Sequence, residues 1–137
     1  MLTALEHCTI RTTRLSETRR FFEDILGLRI GPRPALSMPG FWLYIGDAPV
    51  IHLMEIGAGY GKDPFDQALQ QEDGSGSLDH LAFRAQDLQA FLDRLAQLNI
   101  EHRRASIPEM ALEQVFLKDP NGIIVELNFK GNAENAI

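Results

Sequence analysis

Apolar and polar positions alternate with period two, then give way to helical spacing, and the chain runs through this sequence of patterns twice. Residues 7–11 alternate as a half-buried strand does, so His7 shares a face with Thr9 and Arg11 while Cys8 and Ile10 point the other way. His80 and Ala82 stand against Leu81 and Phe83 in the same manner. A helix is predicted after the first run, with Ser16 as N-cap, Glu17 in the first turn, Phe21, Phe22, Ile25 and Leu26 on one stripe, and Gly27 as the stop. The second has Asp87 as cap, a stripe of Leu88, Phe91, Leu92, Leu95 and Leu98, and Asn99 in the left-handed closing position. A single apolar stripe per helix predicts that each lies on a sheet. Short β runs follow at 41–45 and 50–56, and again at 113–117 and 123–129. Their connections, Gly46-Asp47-Ala48-Pro49 and Lys118-Asp119-Pro120-Asn121-Gly122, carry turn chemistry.

The two halves are similar in residues as well as in pattern. Leu5-Glu6-His7-Cys8-Thr9-Ile10-Arg11 and Leu78-Asp79-His80-Leu81-Ala82-Phe83-Arg84 both read Leu, acid, His, two variable positions, a large apolar residue, Arg, at an offset of 73 residues. Setting Leu43 on Leu117 and Ile51 on Val125 gives an offset of 74, and under it His52 falls on Glu126. The expectation is an α+β fold: a single domain over residues 1–137, built of two tandem β-α-β-β-β modules at about 3–56 and 78–130 that form a cupped mixed sheet. Loop 57–77 joins them and is too polar to be core, with Asp63-Pro64 ahead of Phe65 and Leu69 predicting a brief helix inside it. The tail after Phe129 is expected to fray.

Composition narrows the function classes. A length of 137 residues fits one domain, and 45% hydrophobic with 23% charged residues is ordinary for a folded protein. A net charge of −6, with Arg19-Arg20 and Arg103-Arg104 as the tight cationic clusters, offers no stripe to neutralise phosphates and excludes nucleic acid as a partner. No apolar run approaches the roughly 18 residues that span a bilayer, so no membrane partner is expected. The first residues lack the greasy stretch of a signal peptide, and a cytoplasmic location is expected. Single Cys8 excludes an internal disulfide and reads as an inert core thiol.

The candidate chemistry comes from four residues that this pattern sets on one kind of face. His7 and His80 open the first strand of each module; His52 and Glu126 sit in the last, opposed to Ile51 and Leu53 and to Val125 and Leu127. A carboxylate inside an apolar run is costly unless paired or metal-bound, and imidazole with carboxylate is a common first shell for Zn²⁺, Fe²⁺, Mn²⁺, Ni²⁺ or Co²⁺. Pseudo-twofold symmetry would bring His7, His52, His80 and Glu126 around one such divalent ion. Thr9, Met54 and Asn128 share the ligand face and are candidate substrate-lining residues, as are Trp42 and Phe116; Phe41 and Tyr44 are weaker candidates for the same wall. Arg33, Arg104 and Gln114 could grip an anion, although solvated surface is the commoner role for such residues. His102, among Glu101, Arg103 and Arg104, reads as surface, and Glu55 and Asp119 as exposed strand-end and turn carboxylates.

The motifs Leu5-Glu6-His7, Phe21-Phe22-Glu23-Asp24-Ile25-Leu26-Gly27-Leu28, Leu78-Asp79-His80 and Lys118-Asp119-Pro120-Asn121-Gly122-Ile123-Ile124-Val125-Glu126-Leu127 resemble the vicinal oxygen chelate superfamily over nearly the whole chain. That group holds glyoxalase I, extradiol dioxygenases, methylmalonyl-CoA epimerase and the fosfomycin- and bleomycin-resistance proteins. The resemblance implies the glyoxalase/bleomycin-resistance/dioxygenase fold, metal ligands at His7, His52, His80 and Glu126, and a homodimer. The chain departs from that pattern at His52, where glyoxalase I and epimerase sites carry Glu or Gln, so a displaceable carboxylate base is missing there. The leading reading is a metal-dependent lyase or isomerase that chelates two neighbouring oxygens of a small-molecule substrate, with Glu126 and His52 as the catalytic candidates. An extradiol-type dioxygenase would instead use His7, His80 and Glu126 as a two-His-one-carboxylate iron site. A metal-free protein that binds an antibiotic or metabolite is the third reading.

Overall fold

The computed structural model describes residues 1–56 and 73–131. The helix expected near 63–69, residues 57–72 of the connecting loop and tail residues 132–137 lie outside the described residues. The chain divides into two compact units, residues 1–72 and 73–137. The first contains β1 (Cys8–Thr12), α1 (Leu15–Arg20) continued by a π-helical turn (Phe21–Ile25), β2 (Arg29–Gly31), β3 (Gly40–Ile45) and β4 (Ala48–Glu55). The second contains β5 (His80–Ala85), α2 (Leu88–Gln97), β6 (Arg103–Ile107), a 3₁₀ turn (Pro108–Met110), β7 (Leu112–Lys118) and β8 (Ile124–Lys130). Their four-stranded sheets run in the orders β1-β4-β3-β2 and β5-β8-β7-β6. In both, the first strand pairs parallel with the last and the remaining pairs are antiparallel. The β-α-β-β-β unit is thus present twice.

Each sheet buries one face, as alternation requires. In the first unit Ile10, Leu43, Ile51 and Leu53 are buried together with Phe21, Phe22 and Leu28. In the second, Val115, Leu117, Val125 and Leu127 are buried with Leu95 of α2. Adjacent Phe21 and Phe22 would diverge by about 100° on a regular α-helix. The widened π turn, in which Leu26 N–H donates to Phe21 O and Leu28 N–H to Phe22 O, lets both bury, their rings edge to face at 5.2 Å.

Several local expectations are corrected. Ser16 lies inside α1; the residue that precedes the helix is Arg14, whose N–H donates to Thr12 Oγ1 (2.8 Å), while Thr18 Oγ1 donates to Arg14 O (2.8 Å). Asp87 does stand at the N-cap of α2, in the left-handed region (φ 58), but makes no side-chain cap hydrogen bond; Asn99 closes the helix at φ 52. Leu98 is exposed rather than part of the buried stripe. Lys130 belongs to β8 and not to the tail. Asp119, read as an exposed turn carboxylate, is buried, because the turn folds back on it: Oδ1 accepts from the N–H groups of Asn121 and Ile123 and Oδ2 from Asn121 Nδ2. β2 and β6 carry no apolar alternation and escaped the pattern; as edge strands they are held by backbone pairing to β3 and β7. The first hairpin turns within Gly46-Asp47, since Ala48 and Pro49 already pair with Ile45 and Tyr44, at a register shift that spares Pro49 a missing donor.

Candidate metal centre

Strand register fixes which side chains share a face. In the first unit Thr9 stands beside His52 across the parallel β1–β4 pair, and Trp42 faces His52 across β3–β4. His7 lies one residue ahead of β1, and its ring stacks on His52 (centroids 3.9 Å apart, planes at 15°). Trp42 stacks on the opposite side of His52 (4.0 Å, 7°), so His52 is sandwiched between two rings. Its Nε2 is buried and has no hydrogen-bond partner. Burial pushes the His52 imidazole below its ordinary value, reinforced by His7 and opposed by the Pro49 backbone. Met54 is half-buried on the same strand, two residues on, and faces Gly40; a side chain on Gly40 would collide with the Leu53 carbonyl.

The second unit holds the matching pair. Glu126 lies opposite Ala82 on β5 and Phe116 on β7, and is 8% exposed. Its Oε1 accepts from Gln114 Nε2 (2.9 Å) and Asn128 Nδ2 (2.7 Å), while Oε2 stands 3.1 Å from His80 Nε2. Gln114 Nε2 also donates to Asn128 Oδ1 (3.0 Å), which locks the clamp. One carboxylate oxygen is fixed; the other faces the imidazole.

The repeated acid-His dipeptide acquires a purpose here. Asp79 Oδ2 lies 2.7 Å from His80 Nδ1, and Glu6 Oε1 lies 3.3 Å from His7 Nδ1. The Asp79 hydrogen bond to His80 Nδ1 fixes that ring's tautomer and leaves Nε2 as the lone-pair donor, which is how carboxylates orient metal-binding imidazoles, while Glu6 sets a negative charge beside His7. The two acids are visible in the sequence as the residue before each histidine, but only the folded side chains show which ring nitrogen they face. Gln114, a candidate anion grip by sequence, is engaged with Glu126 and Asn128 instead. Arg104 pairs with Glu113 (3.4 Å), and Arg33 donates to Met38 O (2.8 Å).

The structure therefore places His7 with His52, and His80 with Glu126, each pair within one unit. Trp42 and Thr9 stand at the first pair, with Met54 further along β4; Asn128 and Phe116 adjoin the second. Among the described residues no group of three or more His, Cys, Asp or Glu is gathered that could hold a metal ion. The donor sets nevertheless fit a borderline cation: imidazole nitrogens, an orphaned buried Nε2 and a clamped carboxylate.

The Asp79 hydrogen bond raises the His80 imidazole above its ordinary value, aided by the Glu126 and Asp79 charges and partly offset by burial. Without metal, the stabilisation from the His80 imidazolium is complete below the unfolded value of about 6.5 and disappears as pH rises through the raised folded value. A cation held by His80 would need the neutral ring, so any metal affinity should strengthen over that same rise. Asp79→Asn is expected to shift both profiles to lower pH, read by imidazole NMR titration and by metal affinity against pH; unmoved profiles would remove Asp79 from the site.

A model of the Glyoxalase/Bleomycin resistance protein/Dioxygenase superfamily matches residues 4–127. The Arabidopsis thaliana protein Glyoxylase I 4 is 27% identical over 129 residues, which cover 92% of this chain and 70% of the relative. Among solved structures, a glyoxalase family protein from Bacillus anthracis aligns with a TM-score of 0.73 at 18% identity, over 96% of this chain and 98% of its own. A variant of the fosfomycin resistance protein FosX from Listeria monocytogenes, complexed with Mn(II) and 1S,2S-dihydroxypropylphosphonic acid, aligns with a TM-score of 0.68 at 17% identity, over 99% of this chain and 98% of its own. With the duplicated unit and its strand order already established, the match settles the family: the chain belongs to the Glyoxalase/Bleomycin resistance protein/Dioxygenase superfamily.

Proposed function

We propose that the protein is a divalent-metal-dependent enzyme of glyoxalase-like type that performs lyase or isomerase chemistry on a small substrate with two neighbouring oxygens. In this reading the pairs His7/His52 and His80/Glu126 serve one ion. The observation that carries it is the matched preparation of both pairs: an acid on Nδ1 of each leading histidine, an orphaned Nε2 on His52, and a carboxylate with one oxygen held and the other presented. The relative solved with Mn(II) supports the choice of a divalent cation. A cation bound there supplies Lewis-acid stabilisation of negative charge on substrate oxygens.

The chain's own residues do the rest. Glu126 Oε2 is the atom to take and return a proton, because Oε1 is committed to Gln114 and Asn128. Asp79 keeps the His80 ring turned toward that oxygen. His52, held below its ordinary value, is neutral near pH 7 and able to accept a proton or donate its lone pair. Trp42 and Met54 supply an apolar wall on the His52 side. The acting species in this proposal is a homodimer.

The sandwich of His52 between Trp42 and His7 favours a second reading. If His52 stays in that stack, His7, His80 and Glu126 form a two-His-one-carboxylate set suited to ferrous iron and ring-cleaving oxygenation. Metal analysis of protein purified without added metal, beside His52→Ala, separates the readings. The four-ligand enzyme expects about one ion per chain in wild type, at least tenfold weaker metal binding in His52→Ala, and turnover of α-ketoaldehyde conjugates or acyl-CoA epimers. Oxygen-sensitive iron retained by His52→Ala, with activity on catechols, would transfer the case to the dioxygenase. Absence of any metal-dependent stabilisation would leave a binding protein.

A further inference from the structure

The second unit contains a cavity of about 570 Å³ that extends away from the candidate centre, with Arg103, Lys118, His102 and Glu101 around Phe116 and Ile124. Its size is that of a small-molecule site. Two of its lining residues are direct strand neighbours of the candidate ligands: Phe116 pairs with Glu126 and Ile124 with His80. The cavity floor therefore begins about 5 Å from that pair, one strand spacing away. Lys118 faces Ile124 and Arg103 faces Phe116, so both cations belong to the same face of the sheet.

The charge there runs against the rest of the molecule. The chain carries a net charge of −6, yet this hollow gathers two cations against the single carboxylate of Glu101. Arg103 lies over the Phe116 ring, 4.7 Å from its centroid, and among the described residues neither it nor Lys118 makes an ion pair. His102 turns Nδ1 to Ile100 O (3.0 Å), which leaves Nε2 for another partner. Solvated surface cations are commonplace; these two line an open hollow with an aromatic floor, on the sheet face that also carries Glu126.

We propose that this cavity binds the anionic end of the substrate, a carboxylate or phosphoryl oxyanion joined to a planar or apolar linker that packs on Phe116. Arg103 and Lys118 hold the oxyanion, and the linker leads along the face toward Glu126. Its role as a substrate subsite rests on the proposed metal chemistry, whereas its affinity for anions does not.

The test titrates ¹⁵N-labelled, metal-free full-length protein with phenyl phosphate, benzoate and inorganic phosphate. Phenyl phosphate or benzoate should produce saturable shifts at the amides of residues 100–103 and 116–118, and the better of the two identifies phosphoryl or carboxylate as the preferred group. Inorganic phosphate, which has no linker, should bind about tenfold more weakly. Arg103→Gln and Lys118→Met, both at exposed positions, should each weaken aryl-anion binding about tenfold, the scale of one lost charged contact. The subsite is overturned if neither aryl anion shifts those amides, or if Arg103→Gln and Lys118→Met bind as wild type does. Intact aryl-anion binding in a protein that never takes up metal would instead sink the metal reading and leave the anion site standing.

Discussion

Glu126→Ala is expected to lose bound metal by two orders of magnitude or more in affinity and to weaken the metal-free fold as well. The first effect follows from removing the one carboxylate among the candidate ligands, the donor whose charge the ion most requires. The second arises because Gln114 Nε2 and Asn128 Nδ2 both donate to Glu126 Oε1 in a part-buried setting. Stranding those amides costs about 1–3 kcal/mol. Glu126→Gln separates the two effects. Its amide oxygen can still accept from Gln114 and Asn128, so the metal-free urea midpoint should move little, while metal affinity still collapses. Metal-to-protein ratios and urea denaturation of both variants measure this directly. Full metal occupancy in Glu126→Gln would remove Glu126 from the ligand set whatever happens to stability.

Asp119→Ala should cost about 3 kcal/mol of stability although the residue touches no candidate ligand. The carboxylate accepts from Asn121 N–H (2.8 Å), Ile123 N–H (2.8 Å) and Asn121 Nδ2 (2.9 Å), all buried, and truncation strands three donors at once. The turn it organises feeds directly into β8, so the damage extends to the site. A one-residue slip of β8 would carry Glu126 to the helix-covered face and Val125 to the other. Metal affinity is therefore expected to fall together with stability. Asp119→Asn, which keeps an acceptor for the two backbone N–H groups, should cost only about 1 kcal/mol. A urea midpoint for Asp119→Ala equal to wild type would show that water replaces the carboxylate and that the turn is not what sets the register.

Much of this architecture was legible in the residues because its causes are local. Alternation opposes Ile51 and Leu53 to His52, and Val125 and Leu127 to Glu126; the observed registers keep His52 with Thr9 and Trp42, and Glu126 with Ala82 and Phe116. Helix ends at Gly27 and Asn99 were readable because left-handed backbone restricts residue choice, and both sit at positive φ. The π turn was hidden: neighbouring Phe21 and Phe22 look like an ordinary apolar pair until a sheet demands that both bury. β2 and β6 were hidden for the opposite reason. Edge strands are fixed by main-chain pairing, and side chains such as those of Arg29, Arg103 and Arg104 leave no periodic trace.

By itself the sequence determined that one unit is repeated, that its helices and the strands carrying the candidate ligands recur in the same order, and that His7, His52, His80 and Glu126 occupy matched positions; strand period and repeat spacing are written into neighbouring residues. Tertiary structure alone decided how those side chains are prepared. Gln114 reaches Glu126 across 12 residues of chain, Trp42 and His7 close on His52 from different segments, and Asp119 turns inward to hold the entrance of β8. Hydrogen bonds and ring stacks of this kind join residues distant in the chain, and they form only once the sheets have set the registers that bring their partners within reach.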